Sequence, residues 1–208
     1  MLANIAVRPI AVILAGGLSR RMGGGDKGLR LLGGKRILQH VVERVVPQVE
    51  RAILNANGDP DRFADLGLPV VPDSLPDFPG PLAGVLAGME WARANAPGAT
   101  HVATVAGDSP FVPRDLVARM AAELPKAELV SVRSAGQDYP IIGLWPVSLA
   151  GDLRKAMVEE EMRKVDRWTA RYRLAVVEFA TDPVDPFFNA NAPDDLAEAE
   201  RLLKLLKD

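Results

Sequence analysis

The sequence IAVILAGG at residues 10–17 begins with six consecutive apolar residues and ends in two glycines. A run that is apolar on both faces is typical of a strand buried inside a parallel sheet. Glycines that follow such a strand allow the backbone to turn sharply and to approach a ligand closely. Residues 10–14 therefore predict a central strand, and residues 15–17 predict the start of a binding loop.

Short β-branched segments alternate with longer amphipathic segments along the rest of the chain. This alternation predicts crossover connections, and hence a three-layer α/β/α fold with a mostly parallel central sheet. The predicted strands are Ile10–Leu14, Arg51–Asn55, Leu68–Val71, Thr100–Val105, Glu128–Val132, Pro140–Trp145 and Leu174–Phe179. The predicted helices cover residues 37–45, 82–94, 113–124, 148–160 and 193–206.

Length and composition exclude several classes of protein. The 208 residues predict a single domain over residues 1–208. The net charge of −2, from 25 basic and 27 acidic residues, argues against a general nucleic-acid-binding or membrane-binding surface. The absence of cysteine excludes disulfides, zinc-thiolate sites and cysteine nucleophiles. The first residues show no basic or signal-like region, so we expect a cytoplasmic protein.

The segment LAGGLSRRMGGGDKG at residues 14–28 contains six glycines and three cations. Glycines let several backbone N–H groups converge on an anion, and lysine and arginine add charge-assisted hydrogen bonds to phosphate. The segment is not a Walker A loop, and its G-x-G-x-x-G match at residues 23–28 begins too far from the strand to indicate dinucleotide binding. It therefore predicts a phosphate-binding loop of another kind.

Polar residues follow the other predicted strands. Asp108 comes just after an apolar strand, where its carboxylate can hold Mg²⁺ next to nucleotide phosphates. Asn55 and Asp73 follow two neighbouring strands and suit a base edge or a ribose. Gly80 precedes a predicted helix whose amino terminus can face an anion. The carboxyl ends of the strands are thus the predicted ligand-binding edge.

The segment at residues 14–28 resembles the signature loop of nucleotidyltransferases, and most closely that of the molybdenum cofactor guanylyltransferase (MobA) family. Five more short blocks follow at family spacing, so the resemblance covers nearly the whole chain. The blocks are Asn55-Ala56-Asn57, Asp73-Ser74, Pro79–Gly84, Gly107–Pro110 and Phe188–Asn191.

The resemblance implies a Rossmann-like fold of the nucleotide-diphospho-sugar transferase type and transfer of GMP from Mg²⁺-GTP to molybdopterin or molybdenum-molybdopterin. It implies that residues 1–110 bind GTP and that residues 111–208 form the molybdopterin side. The implied GTP site consists of the backbone of Leu14, Ala15, Gly16 and Gly17, with Arg21, Gly24, Lys27, Asn55, Asp73, Gly80 and Asp108. Asn189 and Asn191 are implied to present amides to the pterin, while Lys27, Arg21 and metal-bound Asp108 support catalysis.

The implied partners are molybdenum-insertion proteins and molybdoenzyme chaperones, and we expect a monomer. Three other functions stay open at this point. A cytidylyltransferase acting on molybdopterin or on a sugar or polyol phosphate shares the loop, although such enzymes more often have LAAG where this chain has LAGG. A non-catalytic nucleotide sensor or cofactor carrier would lack the metal-binding carboxylate or the phosphate cation. An NAD-dependent oxidoreductase would need its glycines at the first strand–helix turn.

Overall fold

A seven-stranded sheet forms the centre of the molecule. The computed structural model describes residues 9–16, 27–75, 80–189 and 193–206. The strands are β1 (Pro9–Leu14), β2 (Leu31–Leu32), β3 (Lys35–Arg36), β4 (Ala52–Asn55), β5 (Val70–Val71), β6 (His101–Ala106), β7 (Leu129–Ser134), β8 (Gln137–Pro146) and β9 (Leu174–Phe179). The order in the central sheet is β5-β4-β1-β6-β8-β7-β9, and β2 and β3 form a separate hairpin.

Most neighbouring strands of the sheet are parallel, as the sequence predicts. Among the described strands of this central sheet, only β8 runs antiparallel to its neighbours, which are β6 and β7. A two-residue turn at Ala135 and Gly136, which have φ values of 49° and 73°, joins β7 to β8. Two consecutive positive φ values match the turn type whose twist suits a hairpin. The chain therefore continues from β7 into an antiparallel strand without a crossover helix.

Helices cover both faces of the sheet. They are α1 (Ile37–Val45), α2 (Pro81–Asn95), α3 (Leu116–Ala121), α4 (Ala150–Glu159), α5 (Val165–Thr169) and α6 (Pro193–Leu205). One hydrophobic cluster joins α1 and α3 to one face, and a second joins α2, α4 and α5 to the other. Residues of β1 alternate between the two clusters, with Ile13 in the first and Val12 in the second. The predicted three-layer α/β/α fold is confirmed, and no helix in the described ranges is long and apolar enough to span a membrane.

Two predicted helix starts are wrong. The helix expected from residue 113 begins at Leu116, because residues 109–113 form turns in which Val112 N–H donates to Ser109. The helix expected from residue 148 begins at Ala150, because Ser148 lies in a 3₁₀-helix over Val147–Leu149. Boundaries of this kind depend on local hydrogen bonds that side-chain periodicity does not report.

Helix α6 packs on the β2–β3 hairpin. Leu202 and Leu203 join a third hydrophobic cluster with Leu32 of the hairpin. The backbone N–H of Gly33 donates to Glu200 Oε1 over 2.6 Å, and a Cβ at Gly33 would overlap the Leu203 side chain. The carboxyl-terminal helix is thereby attached to the segment that directly follows Lys27.

The partly buried His101 is expected to lower the free energy of unfolding of the protein in acid. It lies at the start of β6, where burial lowers its pKa from 6.5 to about 4. Between these two pH values the unfolded chain binds a proton that the folded chain excludes, so the free energy of unfolding falls as the pH falls. We expect His101 to contribute a loss of about 3 kcal/mol over this range. Chemical denaturation from pH 7.5 to 4 measures it. His101→Gln should flatten the curve, and identical curves for the two proteins would contradict this assignment.

Candidate active site

The carboxyl ends of β1, β4 and β6 meet at one edge of the sheet. Leu14 is in register with Asn55 of β4 and with Ala106 of β6. The chain places β4 and β5 on one side of β1 and then crosses to β6 on the other side, so this edge is the topological switch point where such sheets bind ligands. A cleft there is lined by Leu14, Ala15, Gly16, Lys27, Gly28, Leu38, Phe63, Gly107 and Asp108.

The backbone at the end of β1 is already engaged with its neighbours. Ala15 N–H donates to Asn55 O over 2.9 Å, and the Leu14 carbonyl accepts from Gly107 N–H over 3.0 Å. The N–H of Ala15 is therefore not available to a guanine base. If the backbone of Leu14–Gly16 contacts the base as predicted, it has to use its other polar groups, such as the Gly16 N–H and the Ala15 carbonyl.

Asp108 is held in the cleft by the turn that follows β6. A Cβ at Gly107 would lie 2.9 Å from the Leu14 carbonyl oxygen, so a glycine is needed for this close approach. Burial raises the pKa of Asp108. A hydrogen bond from the Asn189 amide, the positive charge of Lys27 and a backbone hydrogen bond oppose that rise. The carboxylate is thus a partly desolvated anion placed beside a cation and an amide.

Lys27 reaches the same cleft from a short 3₁₀-helix over Lys27–Leu29. The next residue, Gly28, lies against the turn that carries Asp108. A Cβ there would be 3.1 Å from Gly107 O and 3.2 Å from Leu38 Cβ. A small residue at this position lets the Lys27 segment pack against the Asp108 turn, as the predicted phosphate site requires.

Asn55 and Asp73, which were predicted as site residues, are in direct contact. Asn55 is buried, and its Nδ2 donates to Asp73 Oδ1 over 3.0 Å and to Val71 O over 3.1 Å. Both donor hydrogens of the Asn55 amide are therefore used inside the protein. Asn55 therefore supports Asp73 through its N–H groups, and its assignment to the nucleotide site stays a prediction.

Asn57 belongs to the same group, although it was not among the predicted site residues. Its Nδ2 donates to Asp73 Oδ2 over 2.8 Å, and its Oδ1 accepts from the Asp73 N–H over 2.9 Å. The alternation of Asn55 and Asn57 is the signal that could have identified it, because side chains two residues apart in an extended segment point the same way.

The amino terminus of α2 also faces this edge. Gly80 precedes the helix with φ 132° and ψ 173°, a backbone conformation that residues other than glycine rarely adopt. A Cβ at Gly84, in the first turn of α2, would overlap Asn55 Oδ1 and lie 2.6 Å from Leu14 Cδ2. The helix start is therefore packed directly against the carboxyl ends of β1 and β4.

Asn189 lies against Asp108. Its amide donates to the Asp108 carboxylate, and its contact with the pterin stays a prediction. Asn189 Oδ1 is buried, and no donor among the described residues reaches it. An unpaired buried amide oxygen beside a carboxylate is suited to coordinate a metal ion that prefers oxygen ligands. The described ranges contain no group of three His, Cys, Asp or Glu residues that could hold a metal on their own.

Four predicted site residues lie outside the described residues. They are Gly17, Arg21, Gly24 and Asn191. Their assignment to the phosphate pocket and to the pterin rests on sequence alone and stays a prediction.

Comparison with known proteins identifies the family. Residues 11–175 match the family model described as the MobA-like NTP transferase domain. The chain is 57% identical over 197 residues to the molybdenum cofactor guanylyltransferase of Nitrobacter hamburgensis, covering 93% of this chain and 94% of that protein.

Two solved structures share the fold. The molybdopterin-guanine dinucleotide biosynthesis protein A of Archaeoglobus fulgidus is 23% identical, with a TM-score of 0.70 over 94% of this chain and 99% of that one. A Mycobacterium tuberculosis protein crystallised with manganese is 18% identical, with a TM-score of 0.67 over 94% and 99% of the two chains. By its family model and its close relatives, the chain belongs to the molybdenum cofactor guanylyltransferases within the MobA-like nucleotidyltransferases.

Proposed function

We propose that this enzyme transfers GMP from GTP to the terminal phosphate of molybdopterin or molybdenum-molybdopterin, releasing pyrophosphate. The observation that carries the proposal is that Lys27 and Asp108 line one cleft at the switch point of the sheet, while Asp73 is held by Asn55 at the end of the neighbouring strand β4. A cation, a desolvated carboxylate and a second, amide-held carboxylate are the groups that triphosphate, metal and base need at three separate points. The 57% identity to a guanylyltransferase supports the same reaction.

Asp73 is the proposed contact to guanine. Guanine presents two adjacent donors, N1–H and the N2 amino group, on its base-pairing edge. A carboxylate offers only acceptors, and each oxygen of Asp73 already holds one amide hydrogen bond and keeps capacity for another. The corresponding edge of cytosine presents an acceptor beside its single amino donor, so a fixed carboxylate favours GTP over CTP.

A magnesium ion fits the residues beside Asp108. Mg²⁺ is commonly held in phosphoryl-transfer sites by one or two carboxylates together with substrate phosphates and water. Asp108 supplies one carboxylate, and the buried Asn189 Oδ1 supplies an amide oxygen next to it. When bound, the ion neutralises charge on the triphosphate and on the departing pyrophosphate. The manganese bound by a protein of the same fold is consistent with a divalent ion in this proposal.

The protein needs no nucleophile of its own. The acceptor phosphate is already ionised at neutral pH, and it attacks the α-phosphorus of GTP while the bond to pyrophosphate breaks. The work of the enzyme is then to align the two phosphates and to balance their charge. Lys27, with Arg21 from outside the described residues, holds phosphate oxygens. Gly80 lets the start of α2 approach the anion.

The proposal also assigns GTP and molybdopterin to two parts of the chain and gives the cellular location and partners of the enzyme. Residues 1–110 bind GTP within a single domain, and residues 111–208 supply the molybdopterin side, including Asn191. Asn189 lies at the boundary, since it comes from the second part and contacts Asp108 of the first. We place the enzyme in the cytoplasm, where GTP is available, as a monomer that exchanges its substrate and product with molybdenum-insertion proteins and molybdoenzyme chaperones.

Incorporation of label from nucleotides tests the proposal. The purified protein is incubated with molybdopterin, Mg²⁺ and GTP or CTP labelled at the α-phosphate. We expect a labelled pterin dinucleotide from GTP and none from CTP. Transfer from CTP would replace the guanylyltransferase by a cytidylyltransferase. Tight GTP binding without transfer to molybdopterin would instead indicate another phosphate acceptor or a nucleotide sensor.

A further inference from the structure

The amide of Asn57 makes two hydrogen bonds to a single residue. Its Nδ2 donates to the Asp73 carboxylate over 2.8 Å, and its Oδ1 accepts from the Asp73 backbone N–H over 2.9 Å. The second bond requires an acceptor at Oδ1, so the orientation of the amide is determined by its partners. Asn57 is exposed, and a packing role in the core therefore does not account for it.

The position of Asn57 is itself held in place. Its carbonyl oxygen accepts a hydrogen bond from Arg62 Nη2. The chain then turns at Gly58, which has a φ of 85°. These two features keep the side chain directed towards Asp73 at the carboxyl edge of β4.

Together the two asparagines immobilise the Asp73 carboxylate. Asn55 donates to Oδ1, and Asn57 donates to Oδ2, so the plane of the carboxylate is fixed from both sides. Within the described ranges, Asp73 forms no ion pair with a lysine or arginine. The side chains that donate hydrogen bonds to this carboxylate are therefore neutral amides, and its negative charge stays available to hydrogen-bond donors on a ligand.

We propose that Asn57 is a positioning residue that sets the nucleotide preference of this enzyme by orienting the Asp73 carboxylate. The inference rests on the proposed function, because it takes Asp73 as the contact to guanine. Two parallel hydrogen bonds to N1–H and the N2 amino group require a carboxylate held in one plane. A freely rotating carboxylate loses much of the second bond, which is the one that distinguishes guanine from hypoxanthine, a base without the N2 amino group.

Binding of GTP and of inosine triphosphate (ITP) tests the inference without molybdopterin. Calorimetry with Mg²⁺ gives both dissociation constants for the wild type, Asn57→Ala and Asn57→Asp. We expect Asn57→Ala to weaken GTP binding about 10-fold and ITP binding about 2-fold. The reason is that a carboxylate no longer held in one plane loses the charge-assisted hydrogen bond from the N2 amino group, which only GTP has. Asn57→Asp places a second carboxylate against Asp73 and should weaken GTP binding about 100-fold.

A matched control separates positioning from general damage. Asn95 lies at the other end of α2, where its Nδ2 donates to Trp91 O, and Asn95→Ala should leave both dissociation constants unchanged. An equal loss of GTP and ITP binding in Asn57→Ala, or no loss of either, would overturn the inference. A wild type that does not prefer GTP over ITP would overturn it as well. Failure of the proposed function would appear separately, as a wild type that binds GTP tightly but transfers no GMP.

Discussion

Asp108→Asn should lower kcat for GMP transfer by about 10³-fold while leaving the protein folded. The substitution keeps the shape of the side chain and an oxygen that can accept the Asn189 amide, but it removes the negative charge that would hold Mg²⁺. Burial raises the pKa of Asp108, so the folded protein accommodates the negative charge less favourably than the unfolded chain does. The neutral variant should therefore unfold at the same temperature as the wild type or at a higher one.

Steady-state transfer assays and thermal unfolding measure these two effects. The matched control is Asp115→Asn. Asp115 is exposed before α3 and makes no side-chain capping bond, so its loss should change kcat less than about 2-fold. Undiminished turnover in a folded Asp108→Asn protein would remove Asp108 from the catalytic machinery.

Gly84→Ala should destabilise the protein by about 1–3 kcal/mol, although the same change in most helices is stabilising. The added Cβ would overlap Asn55 Oδ1 and approach Leu14 Cδ2 to 2.6 Å. Both neighbours are at strand ends that form the site, and Asn55 cannot retreat freely because it is buried and hydrogen-bonded. We expect the start of α2 to shift away from the sheet, and GTP binding to weaken with it.

Gly151→Ala is the matched control for this effect. Gly151 is exposed on α4, and a Cβ there would meet no atom within 4 Å. Its replacement should stabilise the protein by about 0.5–1 kcal/mol through the lower entropy of the unfolded chain. Urea denaturation measures both variants. Equal stabilisation by the two substitutions would show that α2 does not press on Asn55.

The position of the proposed nucleotide site follows closely from the sequence pattern. The apolar runs of β1 and β6 predict buried parallel strands, and their carboxyl ends have to meet at one edge. The sequence pattern alone therefore places Asp108, Asp73 and Asn55 near the end of β1. The use of the Asn55 amide could not be predicted, because it depends on which carbonyl and carboxylate lie opposite it in the neighbouring segment.

The contact between Asn189 and Asp108 is of a different kind. It joins residues about 80 positions apart and depends on how the chain returns from β9 to the edge of the sheet. The packing of α6 on the β2–β3 hairpin accompanies that return, through Leu203 and Glu200. The spacing of apolar residues within a helix or strand carries no information about such a contact. The antiparallel direction of β8, in contrast, had a local signal in the Ala135-Gly136 turn, since glycine is favoured where φ is positive.

A crystal structure with Mg²⁺ and a GTP analogue that cannot be cleaved between the α- and β-phosphates tests the central claim most directly. The claim is that one edge of the sheet reads guanine and holds the triphosphate. We predict N1–H and the N2 amino group within hydrogen-bond distance of the Asp73 carboxylate, and the phosphates between Lys27 and Asp108. A base directed away from Asp73, or a triphosphate at the opposite edge of the sheet, would contradict the account.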